Sequence, residues 1–261
     1  MPFFEGVRGR VFYRRWQPPS TYAVIVFLHG YGEHSGFYHR LGFELNQNSI
    51  ELFALDEIGH GLTDGEPGVI DGVDDLVENG RRLTALVRRD LPSTPMFLMG
   101  HSMGAAAAAV LLIENRHVFD GAILTGTLLS PVEWIVRLVD AGTDALFELD
   151  PSFLSSDPLY LDEMANDQLP FDAVAGTRSL ARVFPEAWER IERDFASVDT
   201  PTLFLQGELD VLGPVGAARS WAQRMPDAGI VVYPARHHDI LNEVVHREVV
   251  DEIATFVRGR P

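Results

Sequence analysis

Gly100-His101-Ser102-Met103-Gly104 follows an apolar run, Pro95 to Met99, and leads into five consecutive alanines, Ala105 to Ala109. Gly-x-Ser-x-Gly between a strand and a helix reads as a nucleophile elbow, with the serine on a strained turn where only glycines leave room around it. The pentapeptide is short and the chain holds 23 glycines, so its context must carry the reading. The alanine run fits a central helix whose small side chains let it lie close on a sheet.

A serine hydroxyl attacks well only when a base takes its proton, and that base needs an orienting carboxylate. In this arrangement the partners follow in the order serine, acid, histidine, each on a loop after a later strand. The apolar run Thr202–Leu205 enters Gln206-Gly207-Glu208-Leu209-Asp210, and Ile230–Tyr233 enters Pro234-Ala235-Arg236-His237-His238. Asp210 is the candidate acid and Glu208 its competitor. Asp210 taken alone also suits a turn or a helix cap before Pro214. His237 and His238 are adjacent and point differently, so one of them serves as base. An early apolar run, Ala23–Leu28, ends in His29-Gly30-Tyr31-Gly32. The main-chain N–H groups of Tyr31 and Met103 are therefore expected to hold the charge that develops on a substrate carbonyl oxygen. His29 reads as a hydrogen bonder that fixes its loop.

Composition removes several chemistries. The 261 residues include no cysteine, so disulfides, thiolate nucleophiles and Cys-ligated metals are excluded. All 21 basic residues are arginine, which excludes a Schiff-base lysine and a Walker A lysine. His29, His34 and His39 recur every fifth residue, which is not metal-ligand spacing on a helix. His-x-x-Glu-His is also missing, and neither a metal nor an organic cofactor is expected. A net charge of −17 argues against nucleic acid and against adhesion to anionic lipid. The first 30 residues lack a basic segment followed by an apolar one, and the apolar run Met103–Ile113 is too short to span a bilayer. A cytoplasmic protein is expected.

Short apolar runs alternate with helical patterns, the signature of an α/β fold with a mostly parallel sheet. Strands are expected at Val11–Trp16, Ala23–Leu28, Glu51–Leu55, Met96–Met99, Gly121–Thr125, Pro201–Leu205 and Gly229–Tyr233. Helices are expected at Phe37–Asn48, Asp74–Arg89 and Glu243–Val257. Between Pro131 and Val198 no strand is convincing. Trp134, Ile135, Leu138, Val139, Leu146 and Phe147 follow helical spacing, and Pro151, Pro158, Pro170 and Pro185 punctuate the stretch. We read a core over residues 1–129 and 199–261, with a helical cap inserted at 130–198. That insert carries 14 acidic and 5 basic residues, a net of −9 within the −17 of the whole. The excess suits a solvated face, or an acidic approach that repels anionic ligands and expels a carboxylate product.

At this point the chain resembles the monoacylglycerol lipase branch of the α/β-hydrolases, serine hydrolases with a helical lid. Three segments carry the likeness: His29-Gly30-Tyr31-Gly32-Glu33-His34-Ser35-Gly36, Gly59-His60-Gly61-Leu62-Thr63-Asp64-Gly65, and the elbow Gly-His-Ser-Met-Gly. The tail His238-Asp239-Ile240-Leu241-Asn242-Glu243 is similar to the family's closing motif and selects His238 as base. The resemblance implies a carboxylic ester hydrolase acting through Ser102, Asp210 and His238 on single-chain acyl glycerols. It also implies substrate hydroxyls held near Glu33 and His101, and an apolar lid face that takes the acyl chain and touches a membrane surface transiently. Related chemistries are a short-chain carboxylesterase, a lysophospholipase, a thioesterase and a cofactor-free oxidase using the same triad. The non-enzymatic alternative is a small-ligand receptor on a hydrolase fold. The chain departs from the family at Phe37-Tyr38, where members often carry Arg-Tyr, so a cation is lost from the headgroup side. Ala105 stands for a second glycine after the elbow, and Met164-Ala165-Asn166-Asp167-Gln168 lacks the proline of the family's Asn-x-Asp-Pro.

Overall fold

The computed structural model describes residues 2–141, 150–169 and 171–260; Leu146, Phe147 and Pro170 lie outside them. Eight strands form one sheet in the order β1-β2-β4-β3-β5-β6-β7-β8. β1 (Phe3–Glu5) and β2 (Arg10–Trp16) pair antiparallel at one edge, and β2 pairs antiparallel with β4 (Ile50–Leu55). From β4 through β3 (Ala23–Leu28), β5 (Met96–His101), β6 (Gly121–Thr125), β7 (Thr202–Gly207) and β8 (Ala228–Tyr233) every pairing is parallel. Every residue of β3, β4, β5 and β6 is buried, as expected where helices cover both faces and the strands read as continuous apolar runs.

One face carries α1 (His39–Gln47) and α8 (His246–Arg258), with Leu41, Leu45, Val249 and Ile253 in its core. The other carries α2 (Val73–Asp90), α3 (Met103–Glu114) and α7 (Val215–Arg224), with Leu76, Leu83, Trp221 and the whole of Ala105–Ala109 in its core. The alanines keep α3 flat against the sheet and let a neighbouring helix approach.

That neighbour comes from the stretch between β6 and β7. Here α4 (Glu133–Ala141), α5 (Pro158–Ala165) and α6 (Ala173–Asp194) occur, and no strand among the described residues. Asp150 and Asp157 cap the turns that begin at Pro151 and Pro158, each accepting a main-chain N–H two residues on. Pro185 lies inside α6 rather than between helices. Val183, Phe184, Ala187 and Ile191 join the α2/α3 core there, and their burial offsets the main-chain hydrogen bond that proline cannot make.

Two helix starts move by more than one residue. The helix read from Phe37 begins as a 3-10 turn, Ser35–Tyr38, because His34 Nδ1 accepts the Gly36 N–H and α1 proper starts at His39. The last helix starts at His246, not Glu243, since a 3-10 turn at Ile240–Asn242 precedes it and the Glu243 carboxylate is engaged elsewhere. Neither β1 nor α7 has a distinct signal in the residue pattern.

Candidate active site

Ser102 stands between β5 and α3 with φ 53° and ψ −115°, a conformation that costs an ordinary residue about 1–3 kcal/mol. Its N–H bonds Thr125 O at 3.0 Å, which ties the turn to the end of β6. Glycine is required on the helix side: a Cβ at position 104 would lie 2.1 Å from Leu28 O, so α3 begins almost in contact with the end of β3. A Cβ at Gly100 would fall 2.4 Å from Gly104 O.

Three loops at the carboxyl ends of parallel strands meet there. His238 Nε2 lies 2.8 Å from Ser102 Oγ, and His238 Nδ1 lies 2.8 Å from Asp210 Oδ2. Asp210 Oδ1 accepts the N–H groups of Leu212 (2.9 Å) and Gly213 (2.8 Å), and Gln206 Nε2 donates to Oδ2. These donors fix the carboxylate, which holds the imidazole with Nδ1 protonated and Nε2 facing the hydroxyl. Burial alone pushes the His238 pKa down; the charge of Asp210, its hydrogen bond, and the charges of Asp239 and Glu33 push harder the other way, and the net shift is upward. The competing candidates lie elsewhere. Glu208 is exposed and accepts the Ala235 N–H, while His237 Nδ1 lies 3.1 Å from Glu243 Oε1.

A strap from the segment between β6 and β7 holds the histidine loop. Phe153 O accepts the His238 N–H (3.3 Å) and Leu154 O accepts the Asp239 N–H (2.7 Å). Ser156 donates to Glu243 through both its N–H (3.0 Å) and its hydroxyl (2.8 Å). Glu243 also accepts the His237 N–H, so one buried carboxylate joins the strap to the loop. The sequence motif contains Glu243 but gives no sign of its partner Ser156.

The cavity at Ser102 measures about 30 Å³, room for a water molecule or two. Leu128, Trp134, Leu154, Leu180, Phe184 and Leu212 give it an apolar wall, with Tyr31 and Met103 at its border. Met103 is the first residue of α3, where main-chain N–H groups have no acceptor within the helix. His29 fixes the neighbouring turn through Nδ1, 2.7 Å from Gly30 O, and through Nε2, which accepts the Glu57 N–H at 2.8 Å.

Glu33 and His101 also border the cavity. Glu33 Oε2 accepts the Gly30 N–H (2.8 Å) and the Tyr38 hydroxyl (2.6 Å), and Oε1 accepts the Tyr160 hydroxyl (3.2 Å). Tyr38 stands where the family's Arg-Tyr has its tyrosine, while Tyr160 carries no advance signal in the sequence. Burial, reinforced by the nearby charge of Asp239, lifts the Glu33 pKa to about 8. His101 Nδ1 lies 3.0 Å from Thr125 Oγ1, and burial lowers the His101 pKa to about 4. Phe37, at the position of the family's arginine, is buried and stacks on His34 at 4.3 Å. His34 Nε2 in turn lies 3.3 Å from Asp167 Oδ2, tying the early loop to the stretch after α5.

Among the described residues, no helix is long and apolar enough to cross a membrane. A family model described as serine aminopeptidase, S33 (Hydrolase_4) matches residues 19–244. The chain is 30% identical over 277 positions to the monoglyceride lipase of Rattus norvegicus, spanning 100% of this chain and 91% of that protein. It is 26% identical over 270 positions to the monoacylglycerol lipase of Mycolicibacterium smegmatis, spanning 97% and 95%. Among solved structures, a soluble variant of the Saccharomyces cerevisiae monoglyceride lipase in complex with a substrate analog superposes with a TM-score of 0.80 at 18% identity, covering 99% of this chain and 94% of that one.

Proposed function

The chain belongs to the serine aminopeptidase S33 family, in the monoglyceride lipase branch of the α/β-hydrolases, and from that premise we propose that it is a serine ester hydrolase releasing a fatty acid from monoacylglycerol-like esters. The observation that carries this reading is the unbroken line of hydrogen bonds from Asp210 through His238 to Ser102 beside an apolar cavity. His238 Nε2 takes the Ser102 proton as Oγ attacks the ester carbonyl carbon. The N–H groups of Tyr31 and Met103 hold the oxygen that becomes negative. As the carbon–oxygen bond to the alcohol breaks, the imidazolium returns its proton to the leaving glycerol oxygen. Water then attacks the acyl-serine, His238 accepts its proton, and Ser102 departs protonated with release of the fatty acid.

Glu33 and His101 face the leaving alcohol, and residues 130–198 act as the cap. The exposed Val136 and Val139 of α4 give that cap a surface for transient membrane contact. The substrate is a small lipid ester, the setting is cytoplasmic, and neither nucleic acid nor a resident cofactor takes part. A cavity of about 30 Å³ favours a second reading, a short-chain carboxylesterase, unless the apolar wall moves to admit a long chain. The deciding experiment is kcat/KM for monoacylglycerols of increasing chain length against lysophosphatidylcholine and a short nitrophenyl ester. A maximum among the longer monoacylglycerols supports the lipase; a maximum at the short nitrophenyl ester selects the second reading. Absence of turnover with every ester overturns both.

A further inference from the structure

Glu33, His101 and Asp239 are completely or almost completely buried, and each offers one ligand atom within 4.8 Å of the other two. Each side chain is held by its other atom. His101 is fixed through Nδ1 on Thr125 Oγ1 (3.0 Å), and Asp239 through Oδ2 on Asn242 Nδ2 (2.8 Å). Glu33 is fixed through Oε2 on Tyr38 and Gly30. The remaining atoms face a common space: Glu33 Oε1, which also accepts the Tyr160 hydroxyl at 3.2 Å, lies 3.7 Å from His101 Nε2, and neither His101 Nε2 nor Asp239 Oδ1 makes a hydrogen bond among the described residues. Gly30 permits the convergence, since a Cβ there would lie 2.8 Å from Glu33 Oε2 and 3.1 Å from His101 Cδ2.

We propose that Glu33 Oε1, His101 Nε2 and Asp239 Oδ1 form a binding site for a divalent cation of the zinc type, next to the Ser102–His238 pair. The donor chemistry selects the ion. One imidazole nitrogen and two carboxylate oxygens suit zinc, whereas calcium and magnesium want six or more oxygens. A neutral imidazole with Nδ1 bonded to Thr125 keeps its Nε2 lone pair for a metal, and each ligand has the outer hydrogen bond that orients metal-binding side chains. Bonds of about 2.0–2.1 Å require the three donors to close by roughly an ångström from their present spacing. Entry runs through the substrate cavity, which Glu33 and His101 border. The sequence offers no metal signature because the three ligands come from separate segments, the loop after β3, the end of β5 and the loop after β8.

The inference goes beyond the ester hydrolase reading and has its own readout. Isothermal titration with zinc chloride, on the full chain and on Ser102→Ala, should show one saturable site in both proteins, since neither needs turnover to bind. Asp239→Asn and Glu33→Gln should each weaken it about tenfold or more, by analogy with the loss of groups that support a metal site. Thermal melts with and without zinc give a second reading: the wild type should gain stability on binding, and a folded Asp239→Asn should gain none. X-ray absorption should report one nitrogen and two protein oxygens on the ion. Failure of zinc to saturate, equal affinity in wild type and both variants, or equally tight calcium or magnesium overturns the proposal. A bound dication beside His238, whose ring centre is 5.0 Å from that of His101, opposes formation of the imidazolium. Zinc should therefore inhibit ester hydrolysis reversibly, with activity restored by a chelator.

Discussion

His238 and His101 sit side by side in one buried pocket and are driven in opposite directions. Both feel burial, which disfavours the charged ring. His238 has the Asp210 carboxylate against Nδ1 and its pKa rises; His101 has the Thr125 hydroxyl there and its pKa falls to about 4. What lies at Nδ1 makes one ring a base that can carry a proton through a reaction cycle and leaves the other neutral. The carboxylates differ in their surroundings. Asp210 accepts two main-chain N–H groups, while burial, reinforced by the charge of Asp239, raises the Glu33 pKa to about 8.

The contrast can be broken at several depths. Ser102→Ala should lower kcat by roughly a millionfold and end labelling by a fluorophosphonate; a label that persists would refute the nucleophile. Asp210→Asn should cost about 10⁴ in kcat with the fold intact by circular dichroism, because the amide no longer holds the Nδ1 proton in place. His238→Ala should approach the serine loss, while His237→Ala should retain activity within a few-fold; the reverse order would reassign the base. The pH profile sharpens the comparison further. His238 must be neutral to accept the serine proton, and its pKa in the folded protein is raised. Activity therefore disappears as pH falls through that raised value, and the acid limb of kcat/KM should lie above 6.5. Asp239 is one of the charges raising it, so Asp239→Asn should move that limb to lower pH. The smallest effect is reserved for Thr125→Val, which removes a hydroxyl from a ring that carries no proton in the reaction: a loss of a few-fold at most.

Legibility followed sequence locality. The elbow, the order of acid and base, and the buried strands are short-range signals, and the structure brings Ser102, Asp210 and His238 within hydrogen-bond distance of one another. The choice of Asp210 over Glu208 depends on two N–H groups, Leu212 and Gly213, whose direction no residue code announces. Tyr38 and Tyr160 meet Glu33 from segments 5 and 127 residues away, and such pairings are settled by packing. The same holds for Glu243, whose link to Ser156 spans 87 residues. Charge counting found an acidic insert but could not see that one face of α6, with Leu180, Val183, Phe184, Ala187, Trp188 and Ile191, belongs to the main core.

The Phe153–Ser156 strap bears on how such enzymes diversify. Exchanging the whole of residues 130–198 for another protein's helices would also remove the main-chain acceptors that brace His238 and Asp239. A graft that keeps Phe153 through Ser156 leaves that brace native and varies only the walls around it. The segment between β6 and β7 and the histidine loop are thus coupled, and a designer who wants a new wall at the Ser102 cavity has Trp134 of α4 and Leu180 and Phe184 of α6 to rebuild, with Phe153 through Ser156 as the part to leave alone.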